Sequence, residues 1–121
     1  MAEYIEAILR RLSGSKFRSR FTLNTEDLNY IQKNGISRIE SHAADFVTKR
    51  LAPADPINDG RQTPFKGHPV FKAQHATATC CRNCLAKWHK IPRGRELNTG
   101  EIARVKDIIM AWIENEFKRC G

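Results

Sequence analysis

Four stretches of this sequence repeat apolar residues with the 3.6-residue period of an amphipathic helix. The first covers residues 2 to 12 and ends at Ser13-Gly14-Ser15, so we expect a helix followed by a flexible joint. Two more lie between Thr25 and Asn34 and between Ser37 and Arg50. The longest pattern runs from about residue 100 to 118 and predicts the central helix of the fold.

Polar residues mark the ends of these helices. Thr25, followed by Glu26 and Asp27, has the pattern of an N-cap with acids in the first turn. Asn98 with Glu101 forms a capping-box pattern ahead of the last helix, in which Ile109 and Trp112 are expected to be buried.

Residues 53 to 69 lack this periodicity and contain four of the five prolines. Such a segment predicts a long ordered loop. A tight turn at Asn58 to Gly60 is also compatible with one short β-hairpin. The predicted fold is mainly α. It is a single domain of four to five helices. Residues 1 to 12 form an appendage helix, and residues 16 to 121 form the globular part.

Length and composition support one soluble domain. A chain of 121 residues can bury one core, and its apolar fraction of 40% with 28% charged residues is ordinary for a globular protein. No stretch has the pattern of a secretory signal or a membrane span, so we expect a cytoplasmic protein without membrane contact. In a reducing compartment, cysteines are thiols or metal ligands more often than disulfides.

The formal charge of +8 is concentrated in one segment. Residues 61 to 95 hold eight Lys and Arg and no Asp or Glu, while the other thirteen basic residues balance the thirteen acids. This asymmetry favours an anionic partner, DNA or RNA above others, although a basic turn can also be merely solvated. The candidate contacts are Arg82, Lys87, Lys90, Arg93 and Arg95.

A second basic stretch, Lys16 to Phe21, alternates cations with aromatic residues. This pattern suits contact with phosphates and bases. The interpretation that we favour is an extended segment that buries Phe17 and Phe21 and leaves its arginines in solvent.

The basic segment also holds most of the cysteines and histidines. Zinc sites use Cys and His ligands at short spacing, and the candidates here are Cys80, Cys81, Cys84, His75 and His89. A site that includes both histidines requires the helical pattern to break near Thr77 to Thr79, because His75 and Cys84 would lie on opposite faces of one helix.

Other chemistries fit the same residues. The thiols can pack as small apolar groups, Cys81 and Cys84 can act as a redox dithiol, or one cysteine can be a nucleophile with His75 or His89 as its base. A redox dithiol or a cysteine nucleophile would make the protein a thiol-dependent enzyme, and a bound metal would make it a metal-dependent enzyme. In either case we expect a phosphate-bearing substrate. His42 lies within a helical pattern and is expected to be packed and hydrogen-bonded.

Several long motifs carry a resemblance. They are SRF at residue 19, RLAPADPINDGRQTP at 50, GHPVF at 67, AQHATATCCRNCL at 73 and KWHKIPRGREL at 87. Together they resemble a bacterial family of small domains of unknown function, over residues 19 to 115 and without the first helix. The resemblance implies no reaction, substrate or cofactor.

Overall fold

A computed structural model describes residues 2 to 120, with side chains from residue 3 to 119. Its α-helices are α1 (Ala2–Ser13), α2 (Thr25–Asn34), α3 (Ile36–Phe46), α4 (Pro69–Ala76), α5 (Arg82–His89) and α6 (Thr99–Cys120). A 3-10 turn, Arg18–Arg20, precedes α2, and a π-helical turn, Val47–Leu51, continues α3. The predicted mainly α fold is therefore confirmed.

Two details of that prediction are wrong. Six α-helices form rather than four or five, because the Cys-containing stretch is divided by a turn between α4 and α5. No β-strand occurs between residues 2 and 120. The expected tight turn is present, with the Arg61 amide donating to the Asn58 carbonyl at 2.8 Å, but the segments beside it do not pair as strands.

The helix ends follow from capping interactions. Asn24, rather than Thr25, caps α2, since its side chain accepts from the Asp27 amide while the Asp27 carboxylate accepts from the Asn24 amide. The predicted capping box of α6 is confirmed, with Asn98 and Glu101 each bonding to the other's backbone amide.

The main core lies where α6 meets α3 and α4. Its fully buried members include Ile39, Val70, Val105, Ile109 and Ile113. Trp112 is only half-buried at the edge of this core, which corrects the expectation for that residue. The sequence pattern alone does not distinguish a core position from one at its margin.

The predicted appendage helix packs onto the rest of the fold. Ile8 and Leu12 of α1 are buried against Ala78 and Trp88, and the Arg11 guanidinium lies 5.6 Å from the centre of the Trp88 ring. Met1 and Gly121, at the outer ends of the two predicted units, lie outside the described residues.

One buried arginine links distant parts of the backbone. Arg82, at the start of α5, is 1% exposed and donates to five carbonyl oxygens. Three belong to Leu51, Ala52 and Pro53, at 2.9 to 3.4 Å. The other two belong to Pro92 and Arg95, at 2.8 and 2.9 Å. The start of α5 thus connects the end of α3 with the turn that leads to α6.

Replacement of Ile109 tests the position of the core. Ile109→Ala removes three carbons from a side chain with no exposed surface, so we expect a loss of about 2 to 5 kcal/mol in the free energy of unfolding. Urea denaturation monitored by circular dichroism measures it. Ile57→Ala, at a side chain that is 86% exposed, is the matched control and should change stability by less than about 0.5 kcal/mol. Equal stability of the two variants would contradict the assignment of α6 to the core.

Candidate functional site

Three cysteines form a compact group at the junction of α4 and α5. The Cys84 Sγ lies 3.4 Å from that of Cys81 and 3.6 Å from that of Cys80, and all three sulfurs lie within 4.8 Å of one another. Cys80 and Cys81 are buried, and Cys84 is partly exposed. Such a set of thiols can hold a metal ion.

The turn between the two helices creates this geometry. It lies at Thr77 to Thr79, where a site using both His75 and His89 was expected to require a break, and Ala78 adopts a left-handed conformation with φ of +58°. The hydroxyls of Thr77 and Thr79 are buried and bonded to each other at 2.9 Å. Cys81 occupies the N-cap position of α5, and this places Cys84 in the first turn of the helix.

Arg18 lies directly beside the thiols. Its guanidinium donates to the Cys84 Sγ at 3.1 Å, to the Cys80 Sγ at 3.6 Å and to the His75 carbonyl at 2.7 Å. Sequence reasoning missed this residue, because Arg18 and Cys84 are 66 positions apart. Arg18 is half-buried in a 3-10 turn, so it is neither free to contact phosphate nor an arginine left in solvent on an extended segment. Phe17, which was expected to be buried in the second case, is exposed.

These contacts set the ionisation of the group. The thiols of Cys80 and Cys81 donate to Cys84 and hold the pKa of its thiol well below the usual range, and the charge of Arg18 adds to that effect. Hydrogen bonds with Cys81 and Cys84, together with burial, raise the pKa of Cys80. These contacts therefore favour the thiolate form at Cys84 over Cys80.

The two candidate histidines lie close by but outside this set of three sulfurs. His75 is buried with its ring stacked on Phe65 at 4.2 Å, and its Nε2–H donates to the carbonyls of Thr63 and Pro64. His89 is buried too and donates its Nε2–H to the Thr77 carbonyl at 2.8 Å.

Both rings share one chemical property. Burial is the main cause that lowers the pKa of each, so both are neutral at pH 7. Since Nε2 carries the proton, the lone pair lies on Nδ1, and in each ring Nδ1 is buried without a hydrogen-bond partner.

The five candidate anion-binding cations occupy different environments. Arg82 is buried and its two terminal nitrogens donate to backbone carbonyls, so its assignment as an anion contact is wrong. Arg93 pairs with Asp59, and Arg95 forms a two-point ion pair with Glu101. The acids that flank the basic segment thus supply part of its counter-charge. Lys87 and Lys90 are exposed, and neither has an ion pair among the described residues.

Comparison with known families extends the resemblance to most of the chain. The model of the domain of unknown function DUF4186 matches residues 6 to 114. The chain belongs to this family. The match begins within α1, so the expectation that the first helix lies outside the family is wrong. No solved structure matches the chain. Within the described part of this DUF4186 domain, no helix is long and apolar enough to cross a membrane.

A separate histidine pair lies in the DUF4186 domain between α3 and α4. The His42 Nδ1 and the His68 Nε2 are 3.0 Å apart, so His42 is packed and hydrogen-bonded as expected. The Val70 amide donates to the His68 Nδ1 at the start of α4. The neutral His68 ring must therefore carry its proton on Nε2 and donate it to His42.

This arrangement predicts that the domain loses stability in acid. Burial and the neighbouring His42 lower the pKa of His68 to about 4, although Asp27 partly opposes them. A folded-state pKa below the unfolded value of about 6.5 gives stability that is complete above pH 6.5 and declines as the pH falls toward 4. We expect protonation of the His68 ring to lower the free energy of unfolding by about 1 to 2 kcal/mol over this range. This value allows for solvent screening, because the ring is partly exposed.

Urea denaturation at pH 7 and pH 5 measures the effect. His68→Asn keeps an acceptor for the Val70 amide but cannot titrate, so it should lose less stability between these two pH values than the parent. An unchanged difference would show that the His68 ring does not titrate in this range.

Proposed function

We propose that this protein binds zinc through the thiolates of Cys80, Cys81 and Cys84. The observation that carries the proposal is the separation of the sulfurs. In a tetrahedral site with Zn–S bonds of about 2.3 Å, sulfur atoms lie about 3.8 Å apart. The distances of 3.4 and 3.6 Å from Cys84 are close to this value before any ion draws the ligands into place.

The charge of Arg18 supports the same conclusion. Three thiolates around a divalent ion leave one negative charge, and a partly buried negative charge requires a partner. The Arg18 guanidinium already donates to Cys80 and Cys84. Hydrogen bonds of this kind to ligating atoms orient them and moderate their charge. Arg18 is accordingly assigned as a positioning residue rather than a ligand.

His75 is the best candidate for a fourth ligand. Ligating histidines commonly donate their second ring nitrogen to a backbone carbonyl, and His75 does so while its Nδ1 has no partner. His89 has the same pattern. His75 is favoured because the Arg18 guanidinium that donates to its carbonyl also donates to the Cys80 and Cys84 thiols.

Metal analysis of purified variants tests the site. The parent should contain one zinc per chain by native mass spectrometry, and Cys84→Ser should lose it, because Cys84 is the sulfur that contacts both others. A chelator should lower the melting temperature of the parent but not that of the variant. The ion is expected to stabilise the fold by about 3 kcal/mol at a hundred times its Kd.

Histidine variants complete this experiment. His75→Gln should weaken zinc binding by about ten-fold or more, whereas His42→Gln, which removes a ring from the separate histidine pair, should not. Full zinc content in Cys84→Ser would disprove the site. Loss of zinc in His89→Gln but not in His75→Gln would move the fourth ligand to His89.

Nucleic-acid binding is a second candidate function. It is supported by four exposed cations, Lys87, Lys90, Arg93 and Arg95, at the end of α5 and on the turn that follows it. Two of them, Lys87 and Lys90, have no acidic partner among the described residues, so contact with phosphate would break no existing ion pair. Bound zinc would hold the start of the same helix.

Salt dependence distinguishes phosphate contacts from other binding. Affinity for DNA or RNA should fall with salt with a log-log slope of about 2 to 4, and Lys87→Gln or Lys90→Gln should each lower that slope by about one. Lys33→Gln, at an exposed lysine on α2, is the matched control and should leave the slope unchanged. No binding of either nucleic acid at low salt would reject this function.

A further inference from the structure

A second group of cations surrounds a cleft at the end of α3. Lys49 and Arg50 belong to the π-helical turn, and Arg61 lies in the loop that follows. All three are exposed and line one cleft of about 610 Å³. This volume is within the range of about 300 to 1,000 Å³ typical of small-molecule sites.

These cations are not neutralised by the protein. None of the three forms an ion pair within residues 2 to 120, although the Asp55 carboxylate lines the same cleft. The cleft therefore carries a net positive charge. In this respect it differs from the turn at Arg93 and Arg95, where acids are bonded to the guanidinium groups.

The walls of the cleft are held in place. The Arg50 guanidinium lies 5.0 and 5.2 Å from the ring centres of Phe46 and Phe71, so it is positioned without an acidic partner. The loop is fixed at both ends, because Arg82 bonds to the Pro53 carbonyl and the Thr63 hydroxyl donates to the Cys80 carbonyl at 2.7 Å. A pre-organised cleft loses less entropy when a ligand binds.

The cleft also offers apolar surface. Ile57 is 86% exposed and lines it beside Pro53. A lining that holds both cations and apolar groups suits a ligand that combines an anion with an apolar or planar part. The single acid provides an acceptor for a hydroxyl or amino group.

We propose that this cleft binds a phosphate monoester or diester attached to a planar group, either as a free mononucleotide or as one nucleotide unit of a nucleic-acid strand. Lys49, Arg50 and Arg61 contact the phosphate, and Ile57 and Pro53 contact the planar group. None of the residues that line the cleft is a proposed zinc ligand, and Lys87 and Lys90 are not among them, so variants of the cleft test it separately from both proposed functions.

Calorimetric titration at low ionic strength tests the proposal with three probes: inorganic phosphate, adenosine monophosphate and a short single-stranded oligonucleotide. Adenosine monophosphate should bind about five-fold or more tightly than phosphate, because the base adds apolar contact. Lys49→Gln and Arg61→Gln should each weaken its binding by about five-fold. Asp55→Asn should strengthen it, because it removes a like charge from the phosphate site.

Matched controls are Lys33→Gln and Arg38→Gln, which remove the same charges from exposed positions on α2 and α3. Neither should change the affinity by more than about two-fold. If the cleft variants weaken binding of the oligonucleotide as much as binding of the mononucleotide, the ligand of the site is a nucleic-acid strand. If the cleft variants weaken binding of the mononucleotide only, the ligand is a free nucleotide.

Three results would overturn the proposal. They are no binding of any probe, equal affinity for phosphate and adenosine monophosphate, and an equal effect of the control and cleft variants. Backbone amide shifts in the spectrum of the isotope-labelled protein give an independent readout. They should be largest over residues 49 to 62 when adenosine monophosphate is added.

Discussion

The structure depends on a buried charged side chain, Arg82, that forms no ion pair with any of the described residues. Moving a guanidinium into the interior is expensive unless its donors are used, and Arg82 uses its terminal donors on five backbone carbonyls. Those carbonyls come from both sides of α5 in the sequence. The arginine therefore sets the distance between the end of α3, the start of α5 and the turn before α6, and the thiol group and the cationic cleft are both built on that arrangement.

Two arginines near the cysteines perform different tasks. Arg82 faces the interior and satisfies backbone groups, whereas Arg18 comes from the N-terminal part of the chain and presents its charge to sulfur. Lysine could not replace either without loss, since an ammonium has no planar set of donors that reaches several acceptors at once. The positive charge of this domain is thus partly structural, and composition alone overstates how much of it is available to a partner.

Local features of the sequence predicted much of the fold. The capping box at Asn98 and the long apolar period of α6 are encoded within a few residues, as is the break at Thr77 to Thr79. The ion pairs of Arg93 with Asp59 and of Lys72 with Asp27 join residues 34 and 45 positions apart, and no local pattern indicates them. The cysteines were identified as candidates because they are close together in the sequence. Arg18 was not, because it lies far from them in the sequence.

The spacing of the cysteines has a consequence for chain entropy. Cys80 and Cys84 are only four residues apart, so the loop between them is short. A link between them, through an ion or otherwise, removes little conformational entropy from the unfolded chain. The contact of Arg18 with Cys80 closes a loop of 62 residues, and ordering that loop is costly. The N-terminal segment is therefore joined to the thiols by a contact that closes a long loop. Opening of this region should begin with departure of the N-terminal segment from the thiols, while the cysteine group itself remains assembled.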